Sequence, residues 1–307
     1  MVEILLAVYN GEKFLKEQLN SIFNQSYSDW KLTIYDDGSD DKTNLIVSYY
    51  MNIYEGKIRL IRSTKNSGSA KKAFKNLLAL SSGDYVAFCD HDDVWDKDKL
   101  KISVETIKKL EKEEGDIPIL IHTDLFVVDE NLKLMWGSMF KAQNFKLKEK
   151  SFNKLLVQNN ITGCTVLMNR SLVEVCGKIS DSAVMHDWWV GLVAAAFGRI
   201  YLLKEKTVYY RQHEKNCVGA RDAKGFRYVF SRFLNREEVL KNKKDSYIQA
   251  KAFLEQYKDV LSERNIKILN KYLNTQDYKG LRKIFSLIFG GFLKEGLIRK
   301  FGQFFFV

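Results

Sequence analysis

With 307 residues, 46% hydrophobic and 28% charged, the chain can bury a real core, and its single proline (Pro118) and lack of internal repeats argue against a linker-rich or disordered protein. The net charge of +11 is uneven: residues 221–307 carry 19 Lys+Arg against 9 Asp+Glu, and residues 1–220 carry 30 against 29. A near-neutral unit with a cationic appendage fits this better than a uniformly basic nucleic-acid binder, and no RRM, KH or helix-turn-helix signature appears.

Val2 to Val8 is a continuous apolar strand that ends in Tyr9-Asn10-Gly11, and Glu12 to Asn24 follows with apolar residues at helical spacing. A second strand, Trp30 to Tyr35, runs into Asp36-Asp37-Gly38-Ser39-Asp40-Asp41 and a helix over 42–54. The third pair is Ile58 to Arg62, then a helix from Ala70 to about Leu80. The fourth is Tyr85 to Cys89, then a helix over 98–113. Four strand-then-helix units predict a parallel, doubly wound α/β sheet whose polar strand ends open on one edge.

That edge collects Ala7, Tyr9, Asp36, Asp37, Lys71, Lys72 and the cluster Asp90, Asp92 and Asp93. Such an edge suits a nucleotide: carboxylates accept from base or ribose, and lysines face phosphate. Three carboxylates within four positions repel one another unless a cation intervenes, so the acidic turn points to a hard divalent ion with oxygen ligands, Mn²⁺ or Mg²⁺. A solvated Asp-rich turn is the plainer alternative. No GxGxxG or GxxxxGK[ST] follows the first strand, which speaks against a dinucleotide fold, a P-loop and a nucleotidyltransferase phosphate loop.

After Pro118 the pattern becomes mixed. Ile119 to Asp124, Phe126 to Asp129 and Ile161 to Met168 are strand-like, with a short helix over 151–158. His186-Asp187-Trp188-Trp189 opens an apolar helix ending at Phe197. Asp187 is either an acidic residue favoured by the helix N-terminus or a carboxylate in a partly dry pocket, poised as a general base. Further strand-like text, Ile200 to Leu203 and Lys206 to Tyr210, ends at Arg211 and His213, which could reach a metal or a diphosphate. From about residue 225 the chain is helical, basic and aromatic, with helices over 237–261 and 266–273. Its last segment suits an anionic membrane interface, or packing on the rest of the chain or on a second copy as a homodimer.

The cysteines Cys89, Cys164, Cys176 and Cys217 are widely spaced and read as reduced thiols. No signal peptide and no spanning apolar run of about 18 residues is apparent. The expected location is cytoplasmic, peripheral on the inner face of the plasma membrane.

The segments AVYNGEKFLKEQLNSIFNQSYSDWKLTIYDDGSDD and NSGSAKKAFKNLLALSSGDYVAFCDHDDVW resemble the family 2 glycosyltransferases of GT-A fold, and are most similar to bacterial rhamnosyltransferase-like members that build surface polysaccharide. The resemblance spans residues 1 to about 215. It implies a GT-A domain over 1–220, with a nucleotide half (1–93) and an acceptor half (94–220), followed by a helical region over 221–307. It implies nucleotide contacts from Ala7, Tyr9 and Asp37 with Asp36 in support, Asp93 as the direct metal ligand, Asp92 on ribose or metal, Asp90 as the first carboxylate of the motif, and Asp187 as base. His186, Trp188, Trp189 and Arg211 then fall to acceptor or diphosphate, and His213 to the metal. His91 and His186 depart from the Gln and Glu common at those places. The implied activity is a metal-dependent, inverting transfer of a sugar, L-rhamnose from dTDP-rhamnose or a hexose or N-acetylhexosamine from its UDP-sugar, to a lipid-linked or growing cell-surface polysaccharide.

Overall fold

The structure, a computed structural model, describes residues 1–146, 151–214 and 236–305. Cys217 and the aromatic residues Phe226, Tyr228, Phe230 and Phe233 lie outside these residues.

The first half alternates strand and helix: β1 (Val2–Val8), α1 (Leu15–Phe23), β2 (Trp30–Asp36), α2 (Thr43–Ile53), β3 (Ile58–Arg62), α3 (Ala70–Ala79) and β4 (Tyr85–Asp90). The short β5 (Val94–Trp95) and α4 (Lys99–Glu114) follow, then β6 (Ile119–Val128), β7 (Leu134–Trp136), α5 (Met139–Ala142), α6 (Phe152–Val157), β8 (Leu167–Asn169) and α7 (Arg170–Cys176). The chain continues through α8 (His186–Phe197) and β9 (Arg199–Arg211) to α9 (Arg236–Tyr257), α10 (Glu263–Asn274), α11 (Gly280–Phe289) and α12 (Leu297–Phe305).

The strands form one sheet in the order β3-β2-β1-β4-β8-β6-β9-β5, with β7 on β6. β1, β2, β3 and β4 run parallel, as do β6 and β9, whereas β8, β5 and β7 pair antiparallel. This is the GT-A architecture, a mostly parallel mixed sheet with C-terminal helices. β1 is buried along its whole length because both faces are covered: Leu5 and Ala7 meet one core, and Val2, Ile4, Leu6 and Val8 meet the other. Two strand-like segments, Phe126 to Asp129 and the text before it, form the single long β6. Of Ile161 to Met168 only the end is strand. The rest is loop with a 3-10 turn at Gly163–Thr165.

The C-terminal helices do not stand apart. Tyr247, Phe253, Tyr257 and Leu269 share a core with Phe152, Leu155 and Trp189. Cys89, Cys164 and Cys176 are buried free thiols.

Candidate active site

The register of the central strands sets the site. Ala7 on β1 lies opposite Asp90 on β4, and Val8 lies opposite Asp36 on β2, so the strand ends finish level. The loops beyond them are tied together: the Asn10 N–H donates to Ser39 Oγ (2.9 Å) and the Gly11 N–H to Thr43 Oγ1 (2.8 Å). Gly11 is required there, since a Cβ would lie 2.8 Å from the His91 ring.

A cavity of about 1590 Å³ opens over these strand ends. Ala7, Tyr9, Asp37, Asp90 and Asp92 line one side. His186, Asp187 and Trp188 line another, and His213 also faces the cavity. Asp37 is gripped by Ser67, whose N–H (3.1 Å) and Oγ (2.7 Å) both donate to it. Asp36 lies behind, accepting from the Ser39 N–H at 2.9 Å.

The acidic turn divides into carboxylates that line the cavity, Asp90 and Asp92, and one that does not, Asp93. Asp92 Oδ2 is 2.8 Å from His213 Nε2. Burial raises the Asp92 pKa, but the His213 bond and the charges of His91 and His213 outweigh it and hold the carboxyl below its usual value. Burial, with Asp92 and Asp187 nearby, lifts Asp90 to about 8. Asp93 is 0% exposed and forms no part of the cavity wall. Its Oδ1 accepts the Arg211 N–H at 3.1 Å, its Oδ2 has no hydrogen-bond partner, and burial followed by Asp92 and Asp90 keeps it well above the carboxylate range. Lys99 is buried 4.7 Å over the Trp95 ring, and burial lowers its ammonium to about 8 against the raising effect of Cys164, Cys89 and Asp93.

Ligand atoms of Asp90, Asp93 and Cys164 lie within 4.8 Å of one another. Burial pushes the Cys164 thiol well up, so it stays protonated and suits a hard cation poorly. The strained charge state of Asp90 and the unpartnered Asp93 Oδ2 nevertheless fit a divalent cation at this turn, because a cation relieves the repulsion among these carboxylates.

Asp187 begins α8. Its Oδ1 accepts from the Trp188 N–H (2.6 Å) and Asn159 Nδ2 (3.2 Å), and its Oδ2 from the Gly163 N–H (3.1 Å). Burial still prevails over these three donors and raises its pKa to about 7, the range of a general base at neutral pH. Asn159 and Gly163 were absent from the sequence expectations. The His186 ring is stacked on Phe74 (4.0 Å between centroids) and edge-on to Phe88 (4.9 Å). Burial lowers its pKa to about 3, so it is neutral.

Three anticipated contacts lie elsewhere. Trp189 is fully buried in the core against Phe253, 5.4 Å between centroids, and does not line the cavity. Arg211 is 1% exposed: its Nε donates to the Asp92 carbonyl (2.8 Å), it is paired with Glu17 and the Glu130 carbonyl, and it lies over Phe14. It therefore braces the acidic turn from behind. Lys71 Nζ donates to the carbonyls of Asp181 (2.7 Å) and Ala183 (2.6 Å), tying α3 to the loop before α8. Trp188 lines the cavity, but its Nε1–H is taken by the Leu155 carbonyl at 2.5 Å. The cavity also has a wall that the sequence did not disclose, made by Lys243, Ser246 and Tyr247 of α9 and by Lys294, Arg299 and Gln303 near the C-terminus.

A strand-end cavity in a mixed α/β sheet, lined by an acidic turn and by a buried carboxylate, fits a glycosyltransferase of GT-A fold. The chain belongs to glycosyl transferase family 2, whose family model matches residues 3–177, and it is a glycosyltransferase. Among curated relatives it is 29% identical to the dTDP-rhamnosyl transferase RfbG of Shigella flexneri over 226 residues, covering 70% of this chain and 74% of that one. It is 26% identical over 181 residues to the Escherichia coli UDP-Glc:alpha-D-GlcNAc-diphosphoundecaprenol beta-1,3-glucosyltransferase WfgD, covering 57% and 62%. Among solved structures, TarS 1-349 of S. aureus superposes with a TM-score of 0.60 at 18% identity, covering 92% of this chain and 72% of that one, and confirms the fold.

Proposed function

We propose that this enzyme transfers a sugar from a nucleotide diphosphate donor to a hydroxyl of a lipid-linked or growing surface glycan, with inversion at the anomeric carbon and with Mn²⁺ or Mg²⁺ bound at the acidic turn. The observation that carries this reading is a buried carboxylate of near-neutral pKa at a helix start, Asp187, that shares one cavity with Asp90 and Asp92 and is close enough to be felt by Asp90.

Asp37, with Ala7 and Tyr9, receives the nucleoside, and Asp36 keeps the Asp37 loop in place. Asp90, Asp92 and Asp93 would hold the cation, with His213 orienting Asp92 and Arg211 bracing the turn. A bound divalent ion neutralises the diphosphate leaving group. Asp187 takes the proton from the acceptor hydroxyl as its oxygen attacks the anomeric carbon from the face opposite the diphosphate, while the Asn159, Gly163 and Trp188 donors fix its orientation. With Asp187 as the base and the carboxylates of the acidic turn given to the cation, a single inverting displacement is favoured.

The relative RfbG favours dTDP-L-rhamnose as donor, and WfgD favours a UDP-hexose as the second choice. Outward-facing apolar residues on α11 and α12 favour seating on the inner leaflet. Thermal stabilisation by dTDP-, UDP- and GDP-sugars in Mn²⁺ tests the reading, followed by transfer assays with and without chelator. The expected result is one nucleotide class that stabilises the protein and turnover that stops in chelator. No stabilisation by any donor would refute the donor site, and full turnover in excess chelator would refute the metal.

A further inference from the structure

No residue from Thr43 to Tyr54 is charged, in a chain that is 28% charged. The helix over this stretch, α2, buries Thr43, Val47 and Tyr50, and its outer face carries Leu45, Ser48, Tyr49, Asn52 and Ile53. Leu45, Tyr49 and Ile53 recur at every fourth position and so form one stripe, exposed at 71%, 60% and 52%. A surface helix ordinarily turns charged residues to water, as α4 does with Lys101, Glu105, Lys108 and Lys112.

The stripe is braced from behind. Tyr54 stacks on Phe23 at 3.6 Å between centroids, Tyr50 lies 5.7 Å from the same ring, and Tyr49 is edge-on to Tyr50 at 5.6 Å. Rings already held by neighbours lose little freedom when a partner covers them. None of residues 38–65 lines the active-site cavity, so a partner on α2 leaves that cavity open.

The charges at the two ends of the stripe select the partner. Lys42 precedes α2 and Glu55 follows it; both are exposed, and neither enters an ion pair among the described residues. When two copies of α2 pack antiparallel about Tyr49, Leu45 faces the partner's Ile53, and Lys42 falls beside the partner's Glu55. A lipid surface suits the stripe less well, because an interfacial helix carries cations along its polar border and here an acid closes one end. The nearby sheet edge is guarded by contrast: β3 ends the sheet and exposes Arg59 and Arg62, whose like charges oppose pairing of that strand with its own copy.

We infer that the protein associates with a second copy of itself through α2, as a two-fold dimer in which the Leu45, Tyr49 and Ile53 stripes pack antiparallel and Lys42 of each copy pairs with Glu55 of the other. The contact is isologous, so every favourable pair occurs twice.

Sedimentation velocity of the full-length protein from about 1 to 200 µM tests this, since so small an interface corresponds to a micromolar dissociation constant. Wild type and the Phe285→Ser/Phe289→Ser variant should both pass from monomer to dimer over that range. Leu45→Glu and Ile53→Glu should each weaken the dimer by at least about 100-fold, because the two-fold axis buries the new charge twice. Lys42→Glu and Glu55→Lys should each weaken it by about tenfold, and the two together should restore it. All four positions are exposed in the single chain, and the charge-reversal pair decides the matter should an apolar variant misfold. A monomer at every concentration, a dimer indifferent to Leu45→Glu, or charge reversals that do not rescue one another would overturn the inference. So would a dimer that is lost only in Phe285→Ser/Phe289→Ser, since the contact would then lie on the C-terminal helices.

Discussion

At Asp187, opposing effects act on one carboxyl. A helix N-terminus and three N–H donors favour the anion, and burial opposes it. Burial prevails, leaving a group that is half deprotonated near pH 7. In the proposed role of Asp187 the base form is the productive one, so turnover should rise with pH through about 7 and level off above it, falling about tenfold per unit on the acid side. Asp187→Asn should reduce turnover by about 10²- to 10⁴-fold, abolish that acid limb and leave Mn²⁺-dependent nucleotide binding unchanged. An unaltered pH profile in the variant would remove Asp187 from the proton transfer. The residue was legible in the sequence because an acid beside two indoles opens an apolar helix. Its partners Asn159 and Gly163 were not, because they lie 28 and 24 positions away and meet it only through the fold.

Among the elements, the alternation of the first half was readable because each strand is a short apolar run with a helical-period segment after it. Ile161 to Met168 misled for the same reason, since an apolar run reads alike as a buried strand or a buried loop. The chain cannot stay extended there, because Gly163 must bring its backbone against Asp187, and a Cβ on it would lie 2.8 Å from His186 Nε2. Arg211 and Trp189 were likewise misplaced by proximity in sequence. Neighbours of a functional residue on a strand or helix point elsewhere, and here one braces the acidic turn and the other fills the core. The helices beyond residue 236 were visible, but their place as a cavity wall was not, because amphipathic period does not say which neighbour a face meets. Phe253 of α9 packs on Phe152 (5.6 Å), Trp189 (5.4 Å) and Tyr257 (4.7 Å). Phe253→Ala should therefore destabilise the α/β part as well, by about 3–5 kcal/mol, and unfold in one urea transition. Two separated transitions, with only the first shifted, would mean that the helices form an independent unit.

For the molecule as a whole, the distribution of charge and apolar surface points toward a bilayer. No helix among the described residues is long and apolar enough to cross one. Yet α11 exposes Leu281 at 70% and Phe289 at 75%, with Phe285 stacked on Phe289 at 6.1 Å, and α12 exposes Leu297 and Phe301. Exposed apolar residues at this spacing, flanked by Lys279, Arg282 and Lys300, match a segment that lies in an interface with its cations at the headgroups. Burying one phenyl side chain contributes about 1.5–3 kcal/mol. Phe285→Ser together with Phe289→Ser should then weaken binding to phosphatidylglycerol vesicles by at least about 100-fold. The variant should melt no lower than wild type, because neither ring is in the core. Sedimentation with vesicles, at low and high salt, reads the apolar and ionic parts separately: salt should weaken wild type and variant by the same factor. Undiminished sedimentation of the double variant would place the membrane contact on another surface of the protein.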